Sequence, residues 1–249
     1  MYTIDRWAYA NRWRCRHPVE KLTLAAGMLL LSLTVPPWPG GMLILAVMAV
    51  TTVGLAGIPL RVHLRVLRVP AGFALTGAAA MLFRIAAKPE GGWRLALAPG
   101  GTAAAAAVLL RSLAALACLS FLALTTPVVE FVPLFRRWRL PPAVLDLVLL
   151  VYRFLHVLTD RARAARTAQA SRLGHAGIRH AYRSLGLLAA SLFPRALERA
   201  RRLEHGLAAR GFQGDLHVLL PQREISIAAL AGILLLEIAL GLLSAALRG

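Results

Sequence analysis

Residues 102–126 hold a single charge, Arg111, in 25 consecutive positions, including the alanine run 103–107. About 20 apolar residues are enough for a helix to cross the ~30 Å hydrocarbon layer of a bilayer. A spanning segment must satisfy its backbone internally, so an unbroken run of this length predicts a transmembrane helix. Four further apolar runs, Leu22–Val35, Gly41–Gly57, Val69–Ala87 and Ile225–Leu247, predict an all-α polytopic membrane protein of about five transmembrane helices. Composition agrees: the chain is 58% hydrophobic, against about 45–50% for soluble domains. It is nonetheless basic, with 29 Lys and Arg against 11 acids and a net charge of +18. A soluble nucleic-acid binder would be basic and polar, and a disordered chain would lack the apolar content. Nucleic acid is therefore not expected as a partner, whereas the lipid bilayer is. Cys15 and Cys118 stand far apart and form no CxxC pair, so neither a disulfide framework nor a zinc site is indicated. The first 21 residues lack the apolar stretch and cleavage pattern of a signal peptide.

The basic residues predict an orientation. With five spans and a cytoplasmic N-terminus, segments 1–21, 58–68 and 128–223 face inward and carry 5, 3 and 16 of the 29 Lys and Arg. That bias satisfies the positive-inside rule. Within 128–223, the apolar run Ala143–Leu158 leads into a stripe of Val151, Leu155, Leu158, Ala162, Ala165, Gln169 and Arg172. These positions share one helix face. The pattern predicts a long amphipathic helix at the membrane interface, with a sixth, short span as the alternative. Gly174 and Gly177 are expected to break it. A second helix is expected over about 195–210, with a stripe of Leu197, Ala200, Leu203 and Leu207 and an i,i+4 pair of Glu198 and Arg202. Gly211 then occupies the position where a left-handed cap favours glycine. Both helices end in a similar knuckle: Ala170-Ser171-Arg172-Leu173-Gly174 and Ala208-Ala209-Arg210-Gly211.

Catalytic patterns are missing. There are only two lysines, Lys21 and Lys88, and neither lies in a Gly-Lys-Ser/Thr phosphate loop. No HExxH, GxSxG or CxxC occurs, and His175 and His180 are five apart, off the spacing for two ligands on one helix face. No catalytic, metal-binding or cofactor-binding residue is therefore expected. Arg111 and Glu237 lie inside apolar runs, where a charge faces the protein interior or a polar path. They read either as structural groups or as part of a moving interface.

The opening Asp5-Arg6-Trp7-Ala8-Tyr9-Ala10-Asn11-Arg12-Trp13, with His17-Pro18 and Glu20-Lys21-Leu22, resembles the N-terminus of the CbiQ family. These are the transmembrane T components (EcfT family) of cobalt and nickel energy-coupling factor transporters. Arg111-Ser112-Leu113, Leu124-Thr125-Thr126-Pro127 and Tyr152-Arg153-Phe154 extend the resemblance. The knuckles resemble the family's paired Ala-Arg-Ser/Gly coupling motifs. Ala209-Arg210-Gly211 is a close match, while Ala170-Ser171-Arg172-Leu173-Gly174 interrupts the Ala-Arg order, with Arg172 as the natural equivalent.

The resemblance implies a single membrane domain over residues 1–249, with 128–223 as its cytoplasmic coupling-helix region. It implies a multi-pass protein of the bacterial inner membrane that supplies cobalt or nickel, as for cobalamin biosynthesis. Such a subunit is not an enzyme. It joins a CbiM-like capture subunit, with or without a CbiN-like one, to a pair of CbiO-like ABC ATPases that use the ATP. The coupling residues carried over are Ala170, Ser171, Arg172, Gly174, Ala209, Arg210 and Gly211. Three other readings stay open: a T component for a vitamin-type substrate subunit, a membrane enzyme acting on lipid, and a basic anchor that recruits a soluble partner by charge.

Overall fold

The computed structural model describes residues 3–87, 93–137, 140–212 and 223–247. The chain divides into two compact units, one of residues 2–127 with 222–249 and the other of residues 128–221.

The larger unit begins with α1 (Thr3–Ala10) and a 3₁₀ turn over Arg12–Cys15. Helix α2 (Pro18–Thr34) follows, with His17 as its N-cap and proline in its first turn, where the missing N–H has no helical partner to lose. Helix α3 (Met42–Val50) runs on into a π-type turn over Thr51–Leu55, while the turn before it, Pro37–Gly41, is kinked at Trp38, whose backbone is extended. Helix α4 (Leu60–Ala80), the long α5 (Gly101–Thr125) and α9 (Ile227–Ala246) complete its helices. α5 is the hub, packing against α1, α2, α3 and α4, while α9 packs on α2. Ala114, Ala117, Cys118 and Phe121 of α5 have no exposed surface and meet Trp13, Leu24, Met28, Ile44 and Met48 in one core. Alanines on α5 let the neighbouring backbones approach, the usual basis of helix association in lipid. Trp13 sets its ring edge-on to Phe121 at 5.5 Å.

The run Val69–Ala87 is not one helix. Its first part ends α4, and its last part forms a hairpin of β1 (Phe83–Ala87) and antiparallel β2 (Trp93–Leu97). Two strands have no apolar period to announce them here, and the apolar composition alone hid the change of structure. α4 begins nine residues before the expected run and carries Arg61, His63, Arg65 and Arg68 in its first half. His63 is buried, and desolvation holds its pKa below the ordinary 6.5.

The smaller unit contains α6 (Val132–Arg137), α7 (Pro142–Ser171) and α8 (Ile178–Ala208). α8 is longer than the helix expected over 195–210, because it continues through Pro194 back to Ile178. Among the described residues, four helical stretches are long and apolar enough to cross a membrane: Pro37–Leu55, Gly101–Thr125, Pro142–Ser171 and Ile227–Ala246. The fold is therefore that of an all-α polytopic membrane protein. α2, at 17 residues, is shorter, and α7 carries the additional span-grade apolar stretch.

Candidate functional site

The knuckles follow from how α7 and α8 end. A helix leaves its last carbonyls without partners, and a Schellman cap satisfies two of them by a left-handed turn. At the end of α7 the amide of Leu173 donates to Ala170 (3.0 Å) and that of Gly174 to Gln169 (2.8 Å). At the end of α8 the amide of Gly211 donates to Ala208 and that of Phe212 to Leu207, both at 3.0 Å. The left-handed residues are Leu173 (φ 58°) and Gly211 (φ 70°). Gln169-Ala170-Ser171-Arg172-Leu173-Gly174 therefore matches Leu207-Ala208-Ala209-Arg210-Gly211-Phe212 residue for residue. Arg172 and Arg210 hold the same place, just before the left-handed residue, and both are exposed.

The two glycines serve their knuckles in different ways. Gly174 does not supply the left-handed backbone; Leu173 does. What Gly174 supplies is space, since a Cβ there would lie 2.8 Å from the Gln169 carbonyl oxygen and 2.7 Å from Ser184 Oγ. Gly211 is the reverse case, with no described residue within 4 Å of its Cβ position and a conformation that L-residues avoid.

Ser184 is the residue that sequence reasoning missed. It is the only residue of α8 that is buried among those described, and its Oγ donates to the Gly174 carbonyl at 2.8 Å. Gln169 Nε2 returns a bond to the Ser184 carbonyl at 2.9 Å. These two bonds fasten the first knuckle to α8. A serine between basic and apolar residues has no pattern that would have marked it. The predicted stripes are partly right: Leu158, Ala162, Ala165 and Gln169 of α7 and Leu203 and Leu207 of α8 are half-buried, whereas Val151, Leu155, Leu197 and Ala200 are exposed.

Arg210 opens onto a pocket of about 240 Å³ between α7 and α8, lined also by Arg153, Arg199, Arg202, Leu203 and Leu207. A second pocket of about 140 Å³, sharing Arg199 and Arg202, adds Arg161 and Arg195. Glu198 pairs with Arg202 at 3.0 Å, both about two-thirds exposed. The surface around the second knuckle thus concentrates guanidinium groups, which bind carboxylates in bidentate fashion and keep their charge. Among the described residues, no three His, Cys, Asp or Glu side chains come together.

The two in-span charges do not meet as a pair. Arg111 Nη2 donates to the carbonyl of Val35 at the end of α2, at 3.2 Å. The Glu237 carboxyl lies on α9 against Gly27 of α2, in the space that a side chain at residue 27 would need.

The cobalt transport protein family CbiQ matches residues 10–219. A cobalt transport protein CbiQ of Rhodobacter capsulatus is 46% identical over 96% of both chains. One of Salmonella typhimurium is 31% identical over 88% of this chain and the whole of its own. A putative fused cobalt transport protein CbiMQ of Methanocorpusculum labreanum is 29% identical over 98% of this chain and 42% of its own length. With span-grade apolar helices, the paired knuckles and these likenesses together, the chain belongs to the CbiQ family of cobalt transport proteins.

Proposed function

We propose that this chain is the non-catalytic coupling subunit of an energy-coupling factor importer for cobalt or nickel. In this reading the knuckles at Arg172 and Arg210 dock in two grooves of an ABC ATPase pair, and the movement driven by the partners' ATP reaches a metal-capturing membrane subunit. The chain lies in the bacterial inner membrane with its N-terminus and both knuckles facing the cytoplasm, the apolar first part of α7 reaching into the bilayer. The observation that carries the proposal is the equivalence of the two caps: the same hydrogen bonds present Ala-Ser-Arg and Ala-Ala-Arg at the ends of successive helices. Two equal docking points suit a partner made of two like subunits, whereas an anchor acting by diffuse charge needs no such duplication. The fused CbiMQ relative supports a CbiM-like capture partner over a vitamin-type one, because its name joins both parts in one chain.

Charge reversal tests this. Arg210→Glu and Arg172→Glu are expected to weaken capture of the ATPases from membranes, while the protein still inserts. Breaking a desolvated charged pair costs on the order of 2–5 kcal/mol, or about 30-fold to several-thousand-fold in affinity. Arg163→Glu, at an exposed pair with Asp160, is expected to change capture little. Equal capture by all three variants would refute the knuckles as docking points, and equal loss would favour the diffuse anchor.

A further inference from the structure

The N-terminal stretch of α2 contains two adjacent buried charges. Lys21 has no exposed surface and Glu20 is 3% exposed. Burying charge is costly unless the groups are bonded, and these two are bonded to different helices. Lys21 Nζ donates to the carbonyl of Thr125, the last residue of α5, at 3.0 Å. Asn11 Nδ2 lies 3.3 Å from the same oxygen and 2.7 Å from the carbonyl of Ala8. Glu20 Oε1 accepts from the amide of Ser226, the N-cap of α9, at 3.0 Å. The signs match the helix ends: a cation at the C-terminus of α5 and an anion at the N-terminus of α9. One turn earlier, Arg223 Nη1 donates to the carbonyl of Arg16 at 3.3 Å.

The position of these contacts along the chain is what gives them meaning. The unit bearing both knuckles, 128–221, is inserted between α5 and α9. Lys21 grips the chain three residues before that unit begins, and Glu20 grips it five residues after it ends. We propose that Glu20 and Lys21 are positioning residues: a clasp that fixes both roots of the knuckle-bearing unit to the helix bundle, so that force on the knuckles moves the bundle. The inference rests on the coupling role proposed above. It assigns a task to the Glu20-Lys21 pair that neither docking nor metal capture requires, since both side chains are sealed from solvent.

The test uses the full transporter, made with Lys21→Met, Lys21→Arg, Glu20→Gln and the exposed control Arg68→Gln. Three quantities are read on each: ATPase capture, ATP hydrolysis by the purified complex, and cobalt uptake into vesicles. Lys21→Met and Glu20→Gln are expected to keep capture and hydrolysis within about twofold, while uptake per ATP falls about 10- to 100-fold, the scale of a lost charged hydrogen bond. Lys21→Arg, which keeps a donor for the Thr125 carbonyl, is expected to recover much of the uptake, and Arg68→Gln to match wild type. Wild-type uptake per ATP in Lys21→Met would overturn the clasp. So would uptake that falls only in proportion to the amount of assembled complex, because the residues would then serve folding alone. Failure of the wild-type chain to capture the ATPases would instead refute the coupling role itself.

Discussion

The two left-handed positions of the knuckles are occupied by different residues, and exchanging their character should have opposite effects. An L-residue in this conformation costs roughly 1–2 kcal/mol. Glycine avoids that cost but loses about 0.5–1 kcal/mol more conformational entropy on folding. Among the described residues nothing lies within 4 Å of a Cβ at Gly211, so Gly211→Ala adds the backbone term without a clash, for a net loss of about 0.5–1.5 kcal/mol. Leu173 is 74% exposed, so Leu173→Gly sacrifices little packing and should gain about 0.5–1 kcal/mol at the first knuckle. The reporters are the amides that close each cap, Gly174 and Phe212. Hydrogen exchange limited by local opening should speed up at Phe212 in Gly211→Ala by about 2- to 12-fold, and slow at residue 174 in Leu173→Gly by about 2- to 5-fold. Changes of the same sign in both variants would refute the assignment of equivalent caps.

Further outcomes follow from other contacts. Gly174→Ala should open the first knuckle outright, since the Gln169 carbonyl it would meet is backbone and cannot turn aside; exchange across 172–176 checks this. Ser184→Ala should loosen the same knuckle by about 1 kcal/mol, the net worth of one hydrogen bond, and raise proteolysis after Arg172. Gly27→Ala should cost only about 0.5–1.5 kcal/mol, the scale of turning the flexible Glu237 side chain aside, and Glu237→Ala in the same chain should remove that cost, because the carboxyl is what a Cβ would strike; a double-mutant cycle in detergent unfolding measures the coupling. His63, held neutral by burial, should make stability fall as pH drops below 6.5 toward its lowered native value, because the unfolded chain takes up the proton first. His63→Phe should flatten that slope between pH 7 and 5, and an unchanged slope would contradict it.

The sequence disclosed the helices wherever an apolar run and a span coincided. Residues 102–126 and 225–247 became α5 and α9 within two residues, because lipid leaves few alternatives to a helix. Val69–Ala87 failed for the same reason in reverse: hydropathy does not distinguish the end of α4 from the hairpin that follows. The second knuckle was legible because Gly211 advertises its left-handed backbone. The first was readable only in part, because Leu173 takes that conformation without being glycine and Gly174 answers to the Ser184 side chain, ten residues away. The motif at Glu20-Lys21 was visible as a resemblance, but its partners at residues 125 and 226 are over a hundred positions distant. No local pattern reports them.

Reconstitution tests the coupling role most directly. The full chain is placed in vesicles with a CbiM-like subunit and a pair of CbiO-like ATPases, and radiolabelled cobalt uptake is followed with and without ATP. Uptake that needs ATP, needs this chain, and collapses with Arg172→Glu and Arg210→Glu together is the predicted result. Equal ATP-driven uptake when this chain is left out would refute that role.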